Sequence, residues 1–210
     1  MSFKPIASDS SYSKEARAFG TSWIGADLPG VERSCDSSYG GYRLETLPPS
    51  VLGDDDDPAF DYAKHMDTVS ANAAAKVQKL IEQAETLGLR LPEHFIKLMS
   101  SEVAQNRILA YTANYFDLGK SISILPDGEG YVVRFLNDQQ SCFFWYLHLN
   151  QNSEHCVLCT FALIGDEADD PVETMDALKQ KVVRCSPSFE DFIRRFHIES
   201  EFHVLSNYFL

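Results

Sequence analysis

The sequence predicts an α+β fold: an antiparallel sheet of four or more strands, with helices before and after it that pack on one sheet face. Three observations carry this. Apolar residues recur at steps of three and four before about residue 100, the pattern of helices with one buried face. Between Ser121 and Leu163 it gives way to short stretches rich in β-branched and aromatic residues, separated by brief turns. After Ser188 the helical spacing returns. Helices, then consecutive strands, then helices is the order of an α+β domain rather than of alternating βαβ units.

Residues 1–60 show no sustained period, only Gly, Ser and Pro punctuation and scattered aromatics, and close on the acidic run Asp54 to Asp57 before Pro58. They read as an irregular acidic N-terminal arm, whose Trp23, Tyr39 and Tyr42 either dock on the domain or lie exposed. Residues 61–210 form the domain. There Val69, Ala73, Val77, Leu80, Ile81, Ala84 and Leu87 make one helical stripe ending at Gly88. Pro92 suits the first turn of a second helix, with Phe95, Ile96, Leu98 and Met99 on its buried side. Strands are expected at Ser121 to Leu125, Tyr131 to Leu136, Cys142 to Leu149 and Cys156 to Leu163, and such brief turns pair them antiparallel. Gly165 to Asp176 reads as an acidic loop, followed by a helix carrying Leu178 and Val182. Ser188 and Asp191 form a cap pattern ahead of Phe189, Phe192, Ile193 and Phe196, which predicts a last helix with an apolar face.

Composition narrows the function classes. The 210 residues are 44% apolar and 12% aromatic, enough for one sizeable core. No apolar run reaches the roughly 18 to 20 residues that cross a bilayer, and the first twenty residues lack a secretory layout. Five cysteines (Cys35, Cys142, Cys156, Cys159, Cys185) are an odd set, read as reduced thiols, so a cytoplasmic location is expected. The net charge of -13 is spread over both parts: five Lys/Arg against ten Asp/Glu in residues 1–60, thirteen against twenty-one beyond. Such a field repels phosphate backbones and anionic lipid, so neither nucleic acid nor membrane is expected as a partner, whereas a basic protein fits. The same charge also serves solubility alone.

Two stretches carry a family resemblance. LPEHFIKLM (Leu91 to Met99) resembles the helix-opening leucine-proline motif of the SUKH superfamily, which groups fungal cell-wall-synthesis regulators with bacterial toxin-immunity proteins. SFEDFIRRFHIESE (Ser188 to Glu201) is similar to that family's C-terminal signature, an aromatic-rich helix followed by an apolar residue and a glutamate, here Ile198 and Glu199. The resemblance spans roughly residues 65–206. The Asn-Gly-rich turn common in the family after the second helix is replaced by Gln105 to Lys120, and the stretch from Cys142 to Tyr146 is unusually aromatic for its sheet. The resemblance implies a non-catalytic protein-binding module without a cofactor: an immunity protein that neutralises a basic, nuclease-like toxin domain, or a regulatory adaptor.

The residues themselves nominate no nucleophile. There is no G-x-S-x-G, no Walker loop and no H-E-x-x-H. His155-Cys156-x-x-Cys159 is the sharpest local motif, since two thiolates can chelate zinc, and with His148 it defines an alternative reading as a small zinc-binding protein or enzyme. Cys156 and Cys159, however, lie at an odd separation on an expected strand, which points them to opposite faces and argues for no metal. For partner binding the candidates are Tyr131 and Trp145, if they share an uncovered sheet face. Asp166, Asp169, Asp170 and Glu173 would form a charged rim beside them, or else a merely solvated loop. Glu199 is expected to bond backbone N–H groups or to touch the partner.

Overall fold

The computed structural model describes residues 66–108, 114–161, 163–165 and 174–197, together with the backbone of three two-residue strands nearer the N-terminus. These are β1 (Gly20–Thr21) and the pair β2 (Ser38–Tyr39) and β3 (Tyr42–Arg43).

Helix α1 (Ala71–Thr86) buries Ala73, Val77, Leu80 and Ala84 at the expected spacing. Val69 falls outside the helix and is exposed, because the chain is still extended at Ser70. The Ser70 hydroxyl does not cap its own helix; it accepts from the Glu102 N–H, while its own N–H donates to the Ser100 carbonyl. The other end closes on a Schellman motif: Gly88 takes φ +74°, its N–H donates to Glu85, and the Leu89 N–H reaches back to Ala84. Helix α2 (Glu93–Met99) starts one residue later than expected, with Pro92 as its cap rather than within its first turn. It buries Phe95, Leu98 and Met99.

Two elements within 102–116 were not legible in the sequence. Helix α3 (Glu102–Arg107) is capped by the Ser101 hydroxyl, and β4 (Asn114–Phe116) is a short strand. The sheet continues with β5 (Ser123–Ile124), β6 (Gly130–Asp138), β7 (Phe144–Asn150), β8 (His155–Thr160) and β9 (Val182–Ser186). Its order is β1-β9-β8-β7-β6-β4, with β5 also on β6. Every pairing among β4 to β9 is antiparallel, as the brief turns require for β5 with β6, β6 with β7 and β7 with β8. Gly20–Thr21, from the stretch read as an irregular arm, pairs parallel with β9.

Strand β9 corrects another expectation. Val182 belongs to a strand, not to the preceding helix α4 (Met175–Lys181), which stops at the β-branched pair Val182 and Val183. A bulge between Arg134 and Leu136 lets both Phe135 and Leu136 face the same core. That core lies between one sheet face and α1, α2, α3 and a final helix, α5, described over 189–197. At its centre Phe135 meets Phe95, Phe189 and Phe192 edge to face, with centroids 6.1, 5.2 and 5.6 Å away. The second sheet face is also covered: Val132, Phe144, Tyr146, Cys156 and Leu158 pack with Leu178 of α4 and with Ile164. No described helix is long and apolar enough to cross a membrane.

Candidate functional site

Three segments of distant sequence converge where α2, β8 and α5 meet. Pro92 sets the start of α2, so Phe95 turns into the core and the adjacent His94 lies half-buried at its margin. Ser188 caps α5, accepting from the Asp191 N–H at 3.0 Å while its hydroxyl donates to the Asp191 carboxylate at 2.8 Å, as the sequence pattern predicts. This cap places Phe189 in the core and Glu190 at the rim of the same helical turn. His155 opens β8 on the face opposite to Cys156.

The outcome is a carboxylate beside two imidazoles. His155 Nε2 lies 3.3 Å from Glu190 Oε2. The His94 ring stands edge-on to Phe189, centroids 6.1 Å apart, and its buried Nε2 has no hydrogen-bond partner. Burial lowers the His94 pKa, against the opposing pull of Glu190 and with help from the Arg194 and Lys97 charges. Burial alone would raise the Glu190 pKa, yet the hydrogen bond from His155, a backbone N–H and the charges of His155 and His94 leave it lowered. The cluster can therefore hold or release a proton where two helices and a strand join. Among the described residues no group of three or more His, Cys, Asp or Glu side chains is arranged to hold a metal ion.

The sequence candidates fare differently. Trp145 and Tyr131 do share a sheet face, but it is the covered one: they are 1% and 7% exposed and belong to the main core. Neither is a surface anchor. The reason is that α1, α2 and α5 pack over the odd-numbered positions of β7, where sequence alternation alone does not say which face is covered. Asp166, Asp169, Asp170, Glu173 and Glu199 lie outside the described residues.

The alternative constellation is divided by the sheet. His148 and Cys156 face each other across β7 and β8, with Nδ1 and Sγ 3.8 Å apart, both fully buried. Cys159 lies on the other face, where burial, and then the neighbouring Cys185, push its thiol well above the usual range. A thiol so placed is a poor nucleophile.

One exposed aromatic residue that sequence reasoning missed is Phe161, just past the end of β8. It is 62% exposed and rests on half-buried Phe143 at 4.8 Å, which in turn lies 6.1 Å from Trp145. Its signal was parity: Val157, Cys159 and Phe161 share a face, and the helices cover the first two only. Exposed Cys142 adjoins Phe143 in the turn from β6 to β7. Comparison with family models, with curated proteins and with solved structures finds no match to this chain.

Proposed function

We propose that this chain is a non-catalytic, cytoplasmic protein-binding module of the SUKH type, acting as an immunity protein for a basic, nuclease-like toxin domain. One observation carries the reading. The two stretches that bear the resemblance, some ninety residues apart, pack directly on one another through Phe95 and Phe189, centroids 5.1 Å apart, over an antiparallel meander. A shared core is what two motifs of one domain would build, whereas chance matches need not meet. The charge of -13 suits a basic partner, and carboxylates presented by an inhibitor would both steer the encounter and mask a phosphate-binding cleft. A regulatory adaptor of the cell-wall-regulator type is the second reading, favoured by the same fold evidence but needing no toxin.

In this proposal the acids Asp166, Asp169, Asp170, Glu173 and Glu199 guide association. Phe161, backed by Phe143, takes the anchoring role that the sequence offered to Trp145. The test is co-expression with the C-terminal domain encoded by the neighbouring reading frame. The immunity reading expects protection of the cells and a one-to-one complex whose association slows with added salt. Neutralising Asp169, Asp170 and Glu173 together should slow association, while Phe161→Ala should hasten dissociation from an otherwise folded protein. A domain that kills equally with and without this chain would sink the immunity reading.

A further inference from the structure

The junction of His94, His155 and Glu190 brings together three side chains to which the proposed binding role gives no part. We propose that it is a proton-sensitive latch: protonation of His94 loosens α5 from α2, exposing the aromatic core at Phe189 under mildly acidic conditions.

His94 lies beside the contact that α2 makes with α5, its ring against the edge of Phe189 and its Nε2 buried without a partner. A neutral imidazole is tolerable there. A charged one needs water or an anion, and opening the helix contact supplies water. The charges facing it are few among the described residues. Glu190 on α5 favours the charged ring, while Arg194 on α5 and Lys97 on α2 disfavour it. Lys97 is itself held by Glu93 at 3.2 Å and by Asp67 at 3.7 Å, so it stays close by. The Glu190 carboxylate is already engaged by His155 from β8 at 3.3 Å, which limits what it offers to His94. The latch therefore opens on acidification because the buried His94 Nε2 has no hydrogen-bond partner in place, whereas His155 Nε2 faces the Glu190 carboxylate.

Amide hydrogen exchange of the full chain tests this, read as protection factors for residues 189–197 between about pH 7.5 and about pH 5.5. One proton taken up on opening lowers protection by up to about tenfold per pH unit. The wild type is expected to show this fall, His94→Gln to remain flat, and Glu190→Gln to fall more steeply because the attracting charge is gone. His155→Gln should keep the fall, which preserves the test if His94→Gln does not fold. Protection that is flat or rises on acidification in the wild type would overturn the proposal, as would a fall retained in His94→Gln or lost in His155→Gln.

Discussion

Replacing Trp145 by alanine separates the surface role that the sequence suggests from the core role that the fold assigns. A surface anchor could be truncated with little effect on stability. A core tryptophan could not. Trp145 is 1% exposed, sits between Leu136 on β6 and Cys159 on β8, and contacts the ring of Phe192 with centroids 6.4 Å apart. A buried tryptophan removes roughly 150 to 250 Å² from water. At about 25 cal/mol per Å² that is about 4 to 6 kcal/mol. A compact unfolded state reduces it to about 3 to 5 kcal/mol, the range for truncating large aromatic residues in cores. With a urea slope of about 2 kcal/mol per molar, the midpoint should drop by about 2 M. Far-UV circular dichroism is the assay, since the substitution removes a fluorophore. Phe161→Ala is the control, expected to cost no more than about 1 kcal/mol because its ring is mostly in water already. A Trp145→Ala midpoint within about 0.5 M of wild type at an unchanged slope would refute the core assignment.

Other expectations follow from particular contacts. A chelator should leave the melting temperature unchanged and native mass spectrometry should report the metal-free mass, because Cys156 and Cys159 belong to cores on opposite faces; one retained zinc per chain would overturn this. Gly130→Ala should cost about 1 to 3 kcal/mol, since a Cβ there would lie 2.7 Å from His148 Nε2 and 2.9 Å from a methyl of Leu125, and a thermal melt unmoved by it would contradict that packing. Thermal stability should fall in two stages on acidification. His94, lowered from 6.5 by burial, binds its proton more readily when unfolded, so its contribution is complete above about pH 6.5 and declines below it. Glu190, lowered from 4.5, contributes stability that is present above that value and lost as pH falls through its lower folded value. Melts at constant ionic strength should lose the first stage in His94→Gln and the second in Glu190→Gln.

Much of the fold was legible because it rests on local chemistry. The stripe from Ala73 to Ala84, the glycine stop at Gly88, the four antiparallel strands and the Ser188 cap depend on side-chain periodicity and on single residues with special backbone or hydrogen-bonding needs. The short elements were not legible. Helix α3 and strand β4 are too brief to show a period, and Val182 follows a helix so closely that only its pairing with Thr160 makes it a strand. The parallel pairing of Gly20–Thr21 with Val183 and Arg184 joins segments more than 160 residues apart, which no local pattern announces.

For the candidate site the division is sharper. The common face of Tyr131 and Trp145 came from the pairing of Tyr131 with Leu149 across β6 and β7, but alternation alone put Cys156 and Cys159 on opposite faces, because a strand has a period of two whatever surrounds it. It did not determine which face the helices would cover, since that depends on how far α2 and α5 extend over the sheet. Tertiary packing made Trp145 core and left Phe161 in solvent. The same packing brought His94, His155 and Glu190 together from three distant segments, because Phe95 next to His94 and Phe189 next to Glu190 had to be buried against one another.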